Sequence, residues 1–197
     1  MKQSAPEAAV GFRVKSGWAA AVVVGGSVNA PQVLDRRRLE LCDPAVPASY
    51  QPYHAGMGKL QTDQAKVRKL RKLVGEATNL SFAEFLTQTR AAGHAVASVS
   101  LVVGSDIDPE KIANPHIRAH ALEGRLFRSV LEEAAQAAGF SVVVILERDL
   151  YARAMATLKR DERDLKTMLT GLGRALGGAW RADHKAACLA AWMALSH

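Results

Sequence analysis

His116, His120 and Glu123 follow one another at spacings of four and three, which sets them on one face of a helix. Two histidines at i and i+4 can share a metal ion. The sequence offers no identifiable third ligand, and Pro115 puts His116 in the first helical turn. The expectation is therefore no metal site, with His120 paired to a carboxylate or kept as a partly buried polar anchor. A second constellation is Lys66, Arg68, Lys69, Arg71 and Lys72, five cations in seven residues around the apolar positions Val67, Leu70, Leu73 and Val74. A solvated amphipathic helix accounts for this pattern. The sharper reading is a surface that contacts phosphates. Tyr53 and His54 precede it, with Tyr50 close by, and aromatic rings beside cations suit stacked single-stranded bases. Loop tyrosines otherwise cap a core edge. No Gly-rich phosphate loop, nucleophile elbow or Cys-His pair occurs in a recognisable context. No cofactor is expected.

Positioning these groups requires a framework, and the chain has one. Residues 8–15, 18–24 and 32–41 are three neighbouring strand-like runs separated by Gly17 and by Gly25-Gly26-Ser27, the pattern of an antiparallel meander. Arg36, Arg37 and Arg38 alternate faces of the third run. Residues 42–61, with Pro44, Pro47 and Pro52 and no period, form a long loop. Helical periodicity runs from Thr62 to about Ala92, with a break predicted near Asn79-Leu80-Ser81 because Ser81 and Glu84 have capping-box spacing. Residues 95–103 and 141–146 read as strands, 117–138, 150–175 and 182–195 as helices, the second of these in two pieces. Gly139 sits where a C-terminal cap glycine belongs. Gly124, inside a strong helix, costs about 1 kcal/mol relative to Ala. It predicts a close approach by another backbone or a ligand, with Glu123 turned toward Arg13 and Lys15. Asp183 opens the last helix, where Asp is a preferred N-cap.

The chain has 197 residues, the length of one substantial domain spanning 1–197, with residues 1–7 expected to be flexible. Apolar residues make up 49% and charged residues 23%, so a packed core is expected and wholesale disorder is excluded. The net charge of +7 suits nucleic acid or another acidic partner. Only Cys42 and Cys188 are present, far apart, which excludes a Cys-rich zinc site and fits a reducing cytoplasm. The N-terminus lacks the pattern of a secretory signal, and no apolar run is long enough to span a bilayer. The expected partners are nucleic acid, and a protein partner or a second copy in a homodimer, with no membrane.

Three antiparallel strands followed by alternating helices and strands is the ribonuclease H-like order: an α/β fold with a mixed five-stranded sheet and helices on both faces. Two segments extend the likeness. Val10-Gly11-Phe12-Arg13-Val14-Lys15-Ser16-Gly17-Trp18-Ala19 resembles the first hairpin of Holliday-junction resolvases, and Ala182-Asp183-His184-Lys185-Ala186-Ala187-Cys188-Leu189-Ala190 resembles their closing helix. That resemblance implies two-metal phosphodiester hydrolysis, in which carboxylates hold two Mg²⁺ ions. Here Arg13 takes the place of the first-strand Asp, the strand-four acid falls among Val102, Val103 and Gly104, and Ala186 replaces the second acid of the last helix. Only Asp183 remains. The resemblance therefore implies a non-catalytic module with a degenerate site made of Arg13, Lys15, Glu123 and Asp183, where Arg13 and Asp183 approach one another. The alternative is a divergent nuclease using Mg²⁺ or Mn²⁺ on a rebuilt site of Asp106, Asp108, Glu123 and Asp183, with Glu147 and Asp149 following strand five. The plainer reading of Asp106 and Asp108 is a turn.

Overall fold

The computed structural model describes residues 7–196. The expectation for residues 1–7 lies outside them except at Glu7, which already belongs to a strand. The strands are β1 (Glu7–Lys15), β2 (Trp18–Ser27), β3 (Ala30–Glu40), β4 (Ala95–Val103) and β5 (Val142–Leu146). The helices are α1 (Gln64–Ala91), α2 (Pro115–Ala137), α3 (Leu150–Leu158), α4 (Glu162–Leu172) and α5 (Ala182–Ala194). They build one mixed sheet in the order β3-β2-β1-β4-β5. β1 pairs antiparallel with β2 and β2 with β3, whereas β1–β4 and β4–β5 are parallel. This is the expected ribonuclease H-like architecture.

β1 is central and covered on both faces, which is why it reads as an almost unbroken apolar run. Ala8, Val10, Phe12 and Val14 pack on one face with Val74, Phe82 and Phe85 of α1 and Leu126, Phe127, Val130 and Leu131 of α2. The Phe12 ring meets those of Phe82 and Phe85 at 5.9 and 5.5 Å. On the other face Ala9, Val22, Val24, Val102 and Ile145 pack with α3, α4 and α5.

Three local expectations change. β2 continues through Gly25 and Gly26 to Ser27, so the second turn is Val28-Asn29, held by the Ser27 hydroxyl accepting from the Ala30 N–H at 3.1 Å. α1 is unbroken across Asn79-Leu80-Ser81, because Val74, Thr78, Phe82, Phe85 and Thr89 form one continuous buried stripe that outweighs a local capping signal. Gly124 meets no backbone: a Cβ there would find nothing within 4 Å. The close approach falls at Gly11 instead, where a Cβ would stand 1.9 Å from the Ala187 carbonyl oxygen and 2.9 Å from the Ala191 nitrogen. Gly139, at φ +91°, ends α2 as expected.

Two measurements follow. Gly11→Ala must push α5 off the sheet and is expected to cost at least about 2 kcal/mol in urea denaturation, whereas Gly124→Ala, in open space on a helix, gains up to about 1 kcal/mol. Equal effects of the two substitutions would contradict this packing. Burial raises the thiols of both Cys42 and Cys188 to about 12. Neither should be alkylated in the native protein at pH 8, and both should react once it is unfolded.

Candidate functional site

Arg13 lies at the C-terminal end of β1, beside Val102 of β4, which in turn is beside Ile145 of β5. Two residues past Ile145 the chain turns into a short 3-10 segment opened by Glu147. This row brings Glu147 to Arg13. The guanidinium, 5% exposed, donates from Nε to Glu147 Oε1 at 3.3 Å and from Nη2 to Oε2 at 2.5 Å. Its Nη1 donates to the Val14 carbonyl at 2.8 Å. Asp183 Oδ1 lies 4.0 Å from Arg13 Nε and 3.0 Å from Lys15 Nζ.

Arg13 and Asp183 therefore do approach, but Glu147 is the principal partner of Arg13 and Lys15 that of Asp183. Asp183 is not the helix cap: Arg181 occupies that position, and its N–H is accepted by the His184 ring at 3.1 Å. Glu123 stands apart from this group and pairs with His54. Two cations thus face two carboxylates, Arg13 and Lys15 against Glu147 and Asp183, with no charge left over. Two Mg²⁺ ions need several uncommitted oxygen ligands. With the guanidinium already bidentate to one carboxylate and Lys15 on the other, these residues do not fit such a pair.

The rebuilt acidic set is not assembled. Asp106 pairs with Arg128 at 2.7 Å and Asp108 with Arg125 at 3.2 Å. Asp108 also caps the turn Pro109–Lys111 by accepting the Glu110 N–H at 3.2 Å, so the turn reading holds for it. Among the described residues no three carboxylates bring their oxygens within metal-sharing reach; the group that does so is His54, His116 and His120.

His54 is the feature that sequence reasoning misplaced. Its ring is 6% exposed and its Nδ1 lies 2.7 Å from Glu123 Oε1, so it is not a free platform for a base. Glu123 is fully buried on α2. Burial pushes its carboxyl above the ordinary carboxylate range, and the hydrogen bond from His54 pulls the other way. Burial, reinforced by His54 and His116, lowers the pKa of His120. Nothing local marks His54 for this role. The only signal was the orphaned i, i+4 pair, which lacked a third member.

The cation run fares differently. Lys66, Arg68, Lys69, Arg71 and Lys72 are all exposed on α1, while Val67, Leu70 and Val74 are buried beneath them. Arg68, Arg71 and Lys72 line a groove of about 480 Å³ between α1 and α2, with Tyr53 at its wall and Arg125 on the far side. Lys66 and Lys69 lie outside it. Arg125 also lines the cleft of about 220 Å³ that holds Arg13, Lys15 and Arg128. Among the described residues Arg68 and Arg71 have no ion pair, and Lys72 reaches Glu76 at 3.7 Å.

Sheet order and helix placement together define the ribonuclease H-like fold. Solved structures agree. The RuvC structure of Thermus thermophilus superposes with a TM-score of 0.56 at 13% identity, covering 94% of this chain and 92% of that one. RuvC from the same organism in complex with a Holliday junction substrate gives 0.57 at 14% identity, covering 95% and 91%. The yeast mitochondrial Holliday junction resolvase Ydc2 gives 0.52 at 10% identity, covering 98% and 80%. These likenesses establish the fold. No family model matches the chain and no curated protein matches it by sequence. No described helix is long and apolar enough to cross a membrane.

The ion pairs make an ordered prediction. Glu147→Ala strands the buried guanidinium of Arg13 and is expected to cost about 1–2 kcal/mol, less than a fully buried pair because Glu147 is 50% exposed. A double-mutant cycle should show larger coupling of Arg13 to Glu147 than to Asp183. The reverse order would contradict the geometry.

Proposed function

We propose that this chain is a nucleic-acid-binding ribonuclease H-like module that does not cut by the two-metal route. The observation that carries the second half is Arg13, held among the carboxylates at the end of β1. A fixed cation there repels divalent metal and neutralises the acids that would bind it.

Support for binding is the line of cations leading away from that cleft. Arg125 joins it to the α1–α2 groove, where Arg68 and Arg71 are exposed and, among the described residues, without an ion pair. Guanidinium forks suit phosphate oxygens, and Tyr53 at the wall can support an unstacked base. The Thermus thermophilus RuvC of the same fold was solved with a Holliday junction, which makes branched DNA the first ligand to test.

The test is fluorescence anisotropy with single-stranded, duplex and four-way-junction DNA at two salt concentrations, with Mg²⁺ present and the DNA examined for cleavage. Binding is expected to weaken steeply with salt, with a log–log slope of about −0.9 per phosphate contact on duplex. Arg68→Glu with Arg71→Glu should reduce affinity at least about tenfold and flatten that slope. Absence of binding at low salt removes nucleic acid as the ligand and leaves a protein partner. Mg²⁺-dependent cleavage that Glu147→Ala or Asp183→Ala abolishes would overturn the non-catalytic reading.

A further inference from the structure

We propose that His54, His116 and His120 form a site for one divalent transition-metal ion of the zinc type, separate from any Mg²⁺ site the fold could carry. Each ring contributes one ligand atom, and all three atoms lie within 4.8 Å of one another. His116 Nε2 and His120 Nε2 are 3.2 Å apart. Two nitrogens bound at about 2.0–2.1 Å in a tetrahedral zinc site stand about 3.3 Å apart.

The hydrogen bonds at the back of the rings direct lone pairs to the front. His116 Nδ1 lies 2.9 Å from the Gly58 carbonyl oxygen. A carbonyl only accepts, so Nδ1 carries the proton and Nε2 of the neutral ring is a bare donor of electrons. His54 Nδ1 is held by the Glu123 carboxylate, which likewise leaves Nε2 as the free nitrogen, and that atom is buried with no hydrogen-bond partner. Glu123 Oε2, also without a hydrogen bond, lies 3.8 Å from His120 Nδ1. One buried carboxylate thus holds one ring by a hydrogen bond and stands near a second. A carboxylate behind a ligating imidazole is the usual outer support of a metal-bound histidine. Buried polar atoms are seldom left unpaired, and a bound cation would explain the orphaned His54 nitrogen.

Three imidazoles select Zn²⁺, Ni²⁺, Co²⁺ or Cu²⁺ and disfavour Mg²⁺ and Ca²⁺, which require oxygen. Three protein ligands leave one coordination position for a water or substrate oxygen, the ligand count of catalytic rather than structural zinc. His120 also lines the cleft that holds Arg13 and Lys15. The ion would further clamp the loop carrying His54 to the first turns of α2.

The 197-residue chain, stripped with a chelator, is titrated with Zn²⁺ against a chromophoric competitor and with Co²⁺ by visible absorption. One equivalent of each is expected to bind, with the intense d–d bands of a low-coordinate cobalt site. Zn²⁺ should raise the melting temperature and Mg²⁺ should not. The exposed ligands are the ones to remove. His116→Ala and His120→Ala should each weaken binding at least about 100-fold while leaving the circular dichroism spectrum unchanged, and Glu123→Gln should weaken it about 10–100-fold. Wild-type protein that binds Zn²⁺ no more tightly than the His116→Ala/His120→Ala double variant would overturn the site. So would wild-type binding without any thermal stabilisation, because an ion clamping a loop to a helix must favour the folded state.

Discussion

The backbone of α5 rests directly on β1, and much of the molecule is arranged around that contact. It exists because Gly11 has no Cβ and because Ala187, Ala190 and Ala191 present a small-residue face. At this depth Trp192 is fully buried and donates its indole N–H to the Val28 carbonyl at 2.8 Å. The same depth brings the first turn of α5 to the end of β1 and so sets Asp183 beside Lys15 and Arg13. A larger residue at position 11 would disturb the packing of the central strand and the geometry of the site together.

That geometry sets two side-chain cations, Arg13 and Lys15, against two carboxylates at the end of the central strand. In a half-buried cleft a charge must have a partner, and Arg13 has two carboxylates within reach, one bidentate. The cations stand at the C-terminal end of the central strand, where open α/β sheets place their ligands.

α2 carries two groups of side chains, and His120 borders the cleft that Arg125 and Arg128 also line. Arg125 and Arg128 project toward the cleft and the groove, where they are tied to Asp108 and Asp106. Glu123, His116 and His120 turn toward the 42–61 loop instead. The start of this helix is rigidly defined: Asn114 accepts the His116 and Ile117 N–H groups at 3.0 and 3.1 Å, with Pro115 preorganised at the first position. The two histidines of the first turns therefore present fixed nitrogens to the loop, and His54 approaches them on a chain segment pinned by short turns at Pro47–Tyr50 and Gly56–Gly58.

Strand and helix identity, their order and the parallel pairing of the last strands were legible in the residue pattern, because alternation, stripes and cap residues are local signals. So was the presence of a cation, Arg13, on the first strand. The partners were not. Arg13 meets Glu147 across 134 residues, and His54 meets Glu123 across 69. Glu147 looked like one of several acids after a strand, and His54 like an aromatic neighbour of a cationic helix. The unbroken α1 and the role of Gly11 were hidden for a related reason, since each depends on what packs against it from far along the chain. Local pattern records which face of an element is apolar. Which charged or ligating groups converge at its end depends on sheet register and on the depth at which helices seat, and both are fixed only when the whole core closes.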